Sequence, residues 1–153
     1  MALLDHAHSI LRWILFLLLI RTLWVSWSGM RASAPFTKAH QQGSLWLMIA
    51  ADLQLMLGLI LYFVSPLGLK NIQNQGMGVV MKDSLARFFA IEHITMMILA
   101  IIFIHIGRAL SKKAEQDTAK HRALFRFTLL ALVLILIAIP WPFRDMFSYM
   151  SWF

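Results

Sequence analysis

The chain contains no cysteine, which excludes disulfide bonds, thiolate metal sites, iron–sulfur clusters and covalent c-type haem attachment. Charged side chains are also scarce: they make up 14% of the 153 residues, whereas 60% are hydrophobic. A soluble domain of this length could not bury so much apolar surface, so a lipid bilayer is the expected solvent. The net charge of +7 does not indicate nucleic acid binding, because the basic residues lie at the ends of apolar runs.

Four long apolar runs predict four transmembrane helices, with spans at about 5–27, 44–64, 84–110 and 118–140. Asp83 is a suitable N-cap for the third helix, and Pro140 and Pro142 should end the fourth. Neither strand alternation nor an internal repeat interrupts the pattern. With short connections, the expected fold is an all-α, integral membrane, up-down-up-down four-helix bundle that forms a single domain over residues 1–153.

The distribution of lysine and arginine predicts the orientation of the bundle. Most basic residues outside the spans lie in the first and third connections or beside them: Arg31, Lys38, Arg108, Lys112, Lys113, Lys120, Arg122 and Arg126. The opposite side carries only Lys70, Lys82, Arg87 and Arg144. Because the richer side is expected in the cytoplasm, both termini and the connection at 65–83 are expected outside.

Two histidines inside the predicted spans are the leading candidates for a functional site, because ionisable groups are costly there. His8 and Arg12 lie on one stripe of the first helix. The rise per residue puts His93 about 10 Å below the outer boundary, at the level of Arg12, with Gly58 at a similar level. A glycine lets a flat ring or another helix approach closely. We therefore predict a pocket of these four residues in which His8 and His93 are the axial ligands of a haem iron.

Each of these residues also has a simpler interpretation. A histidine near the end of a span can bond to a carbonyl or to water, an arginine can extend to the headgroups, and a glycine can serve helix packing. Asp52, near the middle of the second span, should be protonated or paired, and Arg12 is one available partner. A proton relay at Asp52 near a quinone is a further hypothesis.

The remaining histidines are weaker candidates. His105 and His40 lie towards the cytoplasmic side, where they could hold a second haem. However, His93 and His105 are about 120° out of phase on one helix, so a single face cannot carry both. His40 falls in the predicted connection. His121, within KHRALFR, is interpreted as part of a basic collar facing the membrane surface.

Several segments resemble a family of small four-span bacterial membrane proteins commonly labelled cytochrome b-like; they are HSILRW, DLQLMLGLILYF, RFFAIEHITMM, KHR and IPWPF. The resemblance implies non-covalent haem b and electron transfer in a bacterial inner (cytoplasmic) membrane. Familiar di-haem four-helix cytochromes place two histidine pairs at two depths. In this sequence only one histidine pair is convincing, His8 and His93 in the outer half of the membrane, so one haem is expected.

The sequence thus predicts a b-type haem protein that carries electrons in the membrane, with Arg12 neutralising a propionate or holding the pocket closed. Two imidazole ligands leave no open iron position, which favours electron transfer over oxygen chemistry. No nucleophile–base constellation indicates a stand-alone enzyme. Lipid, a quinone, respiratory-complex subunits and a second copy of the chain are the candidate partners, and no nucleic acid is expected. The alternative function is a haem-free accessory subunit of a larger respiratory or transport complex.

Overall fold

The computed structural model describes residues 2–148, and most of them lie in helices. Four helical segments are long and apolar enough to span a membrane. In chain order, the elements are α1 (Ala2–Arg31), α2 (Lys38–Val64), α3 (Leu69–Gln75), α4 (Met77–Val80), α5 (Ser84–Arg87), a π-helical segment (Phe88–Glu92), α6 (His93–Lys113), α7 (Asp117–Ala138) and a 3₁₀ turn (Asp145–Phe147). No strand occurs between residues 2 and 148, so the predicted all-α class is confirmed.

The four long helices form an up-down-up-down bundle. Extensive contacts join α1 to α2, α2 to α6, α6 to α7 and α7 back to α1. Around this ring, α1 lies diagonally opposite α6, and α2 lies diagonally opposite α7. We call the end that holds the start of α1 the first end, and the end that holds the connection from α1 to α2 the second end. Side chains on diagonal helices can therefore meet on the bundle axis.

The core of the bundle combines leucine and isoleucine side chains with alanines that let the helices approach closely. Its most buried members are Leu15, Leu19, Leu47, Ala51, Ala100, Ile104, Ala131 and Ile135. Large apolar side chains also cover the outside of the bundle, such as Ile10, Leu17, Met56, Ile102 and Val133. An apolar exterior around an apolar core is the pattern expected of a protein dissolved in lipid, where each backbone group must bond within its own helix.

The helix boundaries follow from local chemistry. The carboxylate of Asp83 accepts a hydrogen bond from the Ala86 amide at 2.7 Å, which confirms the predicted N-cap. The last helix ends at Ala138, two residues before Pro140, because the residue preceding a proline avoids the helical conformation. The helices otherwise extend past the predicted spans: α1 runs from Ala2 to Arg31, and α2 begins at Lys38 rather than near residue 44.

The connection at 65–83 is more ordered than its sequence suggests. It contains α3 and α4, and Val80 is fully buried against Ala86 and Ala90. This small apolar cluster attaches the connection to the start of the third span. The chain then enters the π-helical segment, in which hydrogen bonds span five residues instead of four; the wider turn changes the direction of the side chains that follow.

Candidate functional site

His8 lies on the inner side of α1 and contacts α2 through Gln54. The Gln54 side-chain nitrogen donates to the His8 backbone oxygen at 3.1 Å and lies 3.2 Å from the ring Nε2. Because a carbonyl oxygen only accepts, this pair fixes the amide with its nitrogen towards His8. The ring Nε2 is then the acceptor, and the ring proton of the neutral imidazole is on Nδ1. Within residues 2–148, this buried Nδ1 has no hydrogen-bond partner.

Gly58 provides the space that the His8 ring occupies. A Cβ atom at position 58 would lie 3.2 Å from His8 Cε1 and 3.8 Å from Nδ1. Gly58 follows Gln54 by one helical turn, so both lie on the same face of α2. The sequence predicted that a flat ring or another helix would approach this glycine, and the ring that does so here is the His8 imidazole.

His93 is the first residue after the π-helical segment, and two aromatic rings lie beside it. The ring centroids of Phe88 and Phe89 lie 5.9 and 6.4 Å from the His93 ring, and Phe147 packs on both phenylalanines. The His93 Nδ1 lies 2.8 Å from the backbone oxygen of Ala138 at the end of α7. Since that oxygen can only accept, Nδ1 carries the proton and Nε2 keeps its lone pair.

Neighbouring polar contacts hold the π-helical segment in place. The Tyr62 hydroxyl donates to the backbone oxygen of Ala90 at 3.2 Å, which ties α2 to this segment. The carboxylate of Glu92 pairs with the Arg87 guanidinium at 2.6 Å, a contact that joins α5 to the π-helical segment. π-Helical turns often occur at functional sites, because they aim one side chain without ending the helix.

The structure brings the four predicted site residues to the first end of the bundle. His8 on α1 and His93 on α6 come from diagonal helices and interact electrostatically, and Arg12 interacts with both. Arg12 also lies 5.5 Å from the centroid of the Trp13 ring. Two imidazoles, a cation and a glycine therefore share one region. In chemical terms, it offers an Nε2 lone pair on His93 and a buried, unsatisfied Nδ1 on His8.

Asp52 and His105 pair with each other away from this region. Their Oδ1 and Nε2 atoms are 2.7 Å apart, and both side chains are nearly half exposed on the outer surface of the bundle. The carboxylate is thus paired, as the sequence predicted, but its partner is His105 on α6 rather than Arg12. His93 faces α7 and His105 faces α2, in agreement with the phase difference expected along one helix.

The interpretation of His121 as a surface collar is wrong. Its side chain is 0% exposed, and neither ring nitrogen has a hydrogen-bond partner in the described part of the chain. The ring lies beside His40, with centroids 4.9 Å apart and an interplanar angle of 86°. His40 lies in the first turn of α2 instead of in a connection. The flanking Lys120 and Arg122 made this position resemble a solvated end, and no sequence pattern indicated that Gly29 would leave space for the ring.

Gln54 is the other site residue that sequence reasoning missed. It is 7% exposed and contacts His8 directly. Its place four residues before Gly58 was the available signal, because that spacing puts the two on one face of α2.

No family model, no curated protein and no solved structure matches the chain. The resemblance to cytochrome b-like proteins therefore stays a prediction.

Proposed function

We propose that the chain binds one b-type haem between His8 and His93 and serves as an electron carrier in the membrane. The observation that carries this proposal is the placement of two imidazoles on diagonal helices at one end of the bundle, near enough for His93 to act electrostatically on His8. Ionisable groups placed inside a membrane bundle point to function by default, because they are costly to bury.

The available ligands suit haem better than a bare metal ion. In residues 2–148, no group of three or more histidine, cysteine, aspartate or glutamate side chains is positioned to hold a metal ion. Structural zinc sites need four such ligands and catalytic sites need three. A haem iron is already bound by the four nitrogens of its porphyrin, so two imidazoles are enough to complete its coordination.

The surroundings of both rings fit the role of axial ligands. The bond from His93 Nδ1 to the Ala138 oxygen is the kind of outer contact that fixes the tautomer of a ligating histidine. His8 is held by Gln54, whose buried side-chain oxygen has no hydrogen-bond partner among residues 2–148. For His8 Nδ1 to hold an iron, the ring proton would have to move to Nε2, where the Gln54 amide would turn its oxygen to accept it. Arg12 supplies a positive charge beside both rings, suited to a propionate. When bound, the haem would supply one-electron chemistry, and two histidine ligands would leave no position for oxygen.

Substitution of the two histidines tests the proposal. His8→Ala and His93→Ala should each lower the haem-to-protein ratio of the purified full chain by one equivalent. The matched controls are His6→Ala, at an exposed position two residues from His8, and His105→Ala, whose ring pairs with Asp52. Both controls should keep the wild-type ratio. If His8→Ala and His93→Ala also keep it, the ligands lie elsewhere.

The accessory-subunit alternative makes the opposite prediction. A haem-free subunit would insert and fold with no bound pigment in any variant. Its contacts with a larger complex would then use the apolar exterior of the bundle.

The proposed orientation has both termini and the connection at 65–83 outside the cytoplasmic membrane of a bacterium. The excess of basic residues at the second end supports it. Reporter fusions should place the connection between α6 and α7 in the cytoplasm and the connection between α2 and α5 outside. The reverse result would put the His8 region on the cytoplasmic side and change which redox partners could reach it.

A further inference from the structure

An apolar groove lies between α1 and α7, in the half of the bundle nearer the second end. Its volume is about 350 Å³, and the residues that line it are Ile20, Leu23, Trp24, Trp27 and Phe125. Small-molecule sites in proteins commonly have volumes of about 300–1,000 Å³. The groove opens on the outside of a bundle with four helices suited to a membrane, so hydrocarbon chains are its natural surroundings.

The wall on α1 follows from helical spacing. Ile20, Trp24 and Trp27 recur at i, i+4 and i+7, so they form one stripe about 10 Å long on the outer face of the helix. The Trp24 side chain is 65% exposed, and its ring centroid lies 5.6 Å from that of Trp27 at an interplanar angle of 46°. Because tryptophan is enriched where acyl chains meet headgroups, this wall is suited to the membrane interface.

The same stripe ends in a positive charge. Arg31 is the last residue of α1 and lies one turn beyond Trp27. Its guanidinium carbon lies 5.1 Å from the centroid of the Trp27 ring. Stacking on an aromatic face orients the planar guanidinium and leaves the N–H groups at its edge available to a phosphate. Within residues 2–148, Arg31 makes no ion pair with a carboxylate.

Arg122 brings a second positive charge to the same level from α7. The His121 ring fills the space above Gly29, so these two residues lie at one height in the bundle. Arg31 lies two residues beyond Gly29, and Arg122 follows His121, which puts their backbones within about 5 Å of each other in depth. Arg122 is exposed and precedes Phe125 by three residues, so it lies above the α7 wall of the groove. It also has no carboxylate partner in the described part of the chain.

We propose that this groove binds one anionic phospholipid. An acyl chain lies along Trp24, Trp27 and Phe125, and the headgroup phosphate pairs with Arg31 and Arg122. Guanidinium groups match the geometry of phosphate oxygens, and two arginines without carboxylate partners favour an anionic headgroup over a zwitterionic one. In the proposed orientation the second end is cytoplasmic, the side on which basic pockets between helices bind such headgroups.

The bound lipid would contact both α1 and α7, and so would stabilise the packing of these two helices. A ligand that binds only the folded protein raises its stability in proportion to the logarithm of the ligand concentration. Phosphatidylglycerol should therefore raise the midpoint temperature of unfolding in mild detergent more than phosphatidylcholine does. The site is independent of the proposed haem region, which lies at the opposite end of the bundle.

Native mass spectrometry of the purified full chain tests the headgroup contacts with phosphatidylglycerol and phosphatidylcholine of identical acyl chains. The wild type should retain one phosphatidylglycerol in preference to phosphatidylcholine. The double variant Arg31→Gln/Arg122→Gln should raise the dissociation constant for phosphatidylglycerol about tenfold or more, since each basic group near a headgroup contributes about fivefold. Lys112→Gln/Lys113→Gln is the matched control, because it removes the same charge from exposed residues at the same end. It should bind as the wild type does.

The acyl contacts are tested by Trp24→Ala, which should weaken retention of phosphatidylglycerol severalfold. Trp46→Ala is the control, because Trp46 on α2 is similarly exposed, at 62%, and lies outside the groove. Equal affinities for the two lipids, or equal losses in the two double variants, would overturn the site and leave only general solvation by lipid. A dimer that persists without lipid and dissociates in Trp24→Ala would also overturn it, by assigning the groove to a second copy of the chain.

A measurement on the unaltered protein keeps the proposal testable if a variant fails to fold. Phosphatidylglycerol brominated in its acyl chains should quench tryptophan fluorescence with a component that saturates at one lipid per chain. Unbrominated phosphatidylglycerol should reverse this component, and phosphatidylcholine should not. Quenching that only rises in proportion to the lipid added would contradict a specific site.

Discussion

Substitution of Gly58 tests the local geometry around His8 with a graded perturbation. In Gly58→Ala, the new Cβ atom would lie 3.2 Å from His8 Cε1, so the ring must shift by a few tenths of an ångström. Overpacking of this kind costs about 1–3 kcal/mol, and the better helix propensity of alanine offsets about 1 kcal/mol of it. We therefore expect a loss of about 0–2 kcal/mol in the free energy of unfolding, with haem still bound.

Gly58→Leu should have a qualitatively different effect. A leucine side chain would extend into the volume of the His8 ring, which must rotate away from Gln54. Haem content should then fall by about one equivalent per chain while the protein still inserts. Gly78→Leu is the matched control, because no atom lies within 4 Å of the Cβ position at that glycine.

The assays are haem content per chain and denaturant unfolding in mild detergent. A Gly58→Leu protein with wild-type stability, full haem content and an unshifted spectrum would refute the placement of the His8 ring against Gly58. Equal losses in Gly58→Leu and Gly78→Leu would indicate a general sensitivity to leucine instead.

Two further predictions concern the polar pairs. Gln54→Leu removes both contacts to His8, each worth about 1 kcal/mol, and should speed haem loss without abolishing binding; haem transfer to an acceptor protein measures the rate. Asp52→Asn and His105→Ala should leave haem content unchanged and show a coupling of about 0.6–2 kcal/mol in a double-mutant cycle of unfolding. Haem loss in either single variant would contradict the assignment of this pair to the outer surface.

The long-range features that could be predicted from the sequence are those set by hydropathy and helix periodicity. Apolar runs located the four long helices, and Asp83 and Pro140 marked two of their ends. The rise per residue placed His8 and His93 at one end of the bundle, because span boundaries give depth directly. Helical phase likewise separated His93 from His105.

What the sequence could not provide was the packing between helices. His121 looked solvated because its neighbours in the chain are basic, whereas its burial depends on Gly29, which is far away in sequence. The choice of His105 as the partner of Asp52 depends on which faces of α2 and α6 meet. The π-helical segment over FFAIE has no local signature, yet it sets the direction of His93.

The most direct test of the central claim is the dithionite-reduced minus air-oxidised absorption spectrum of the purified wild-type chain. Binding of haem by paired histidines predicts the sharp α and β bands of a low-spin b-type haem, with no change when carbon monoxide is added. A featureless difference spectrum from folded protein supplied with haem would contradict the account.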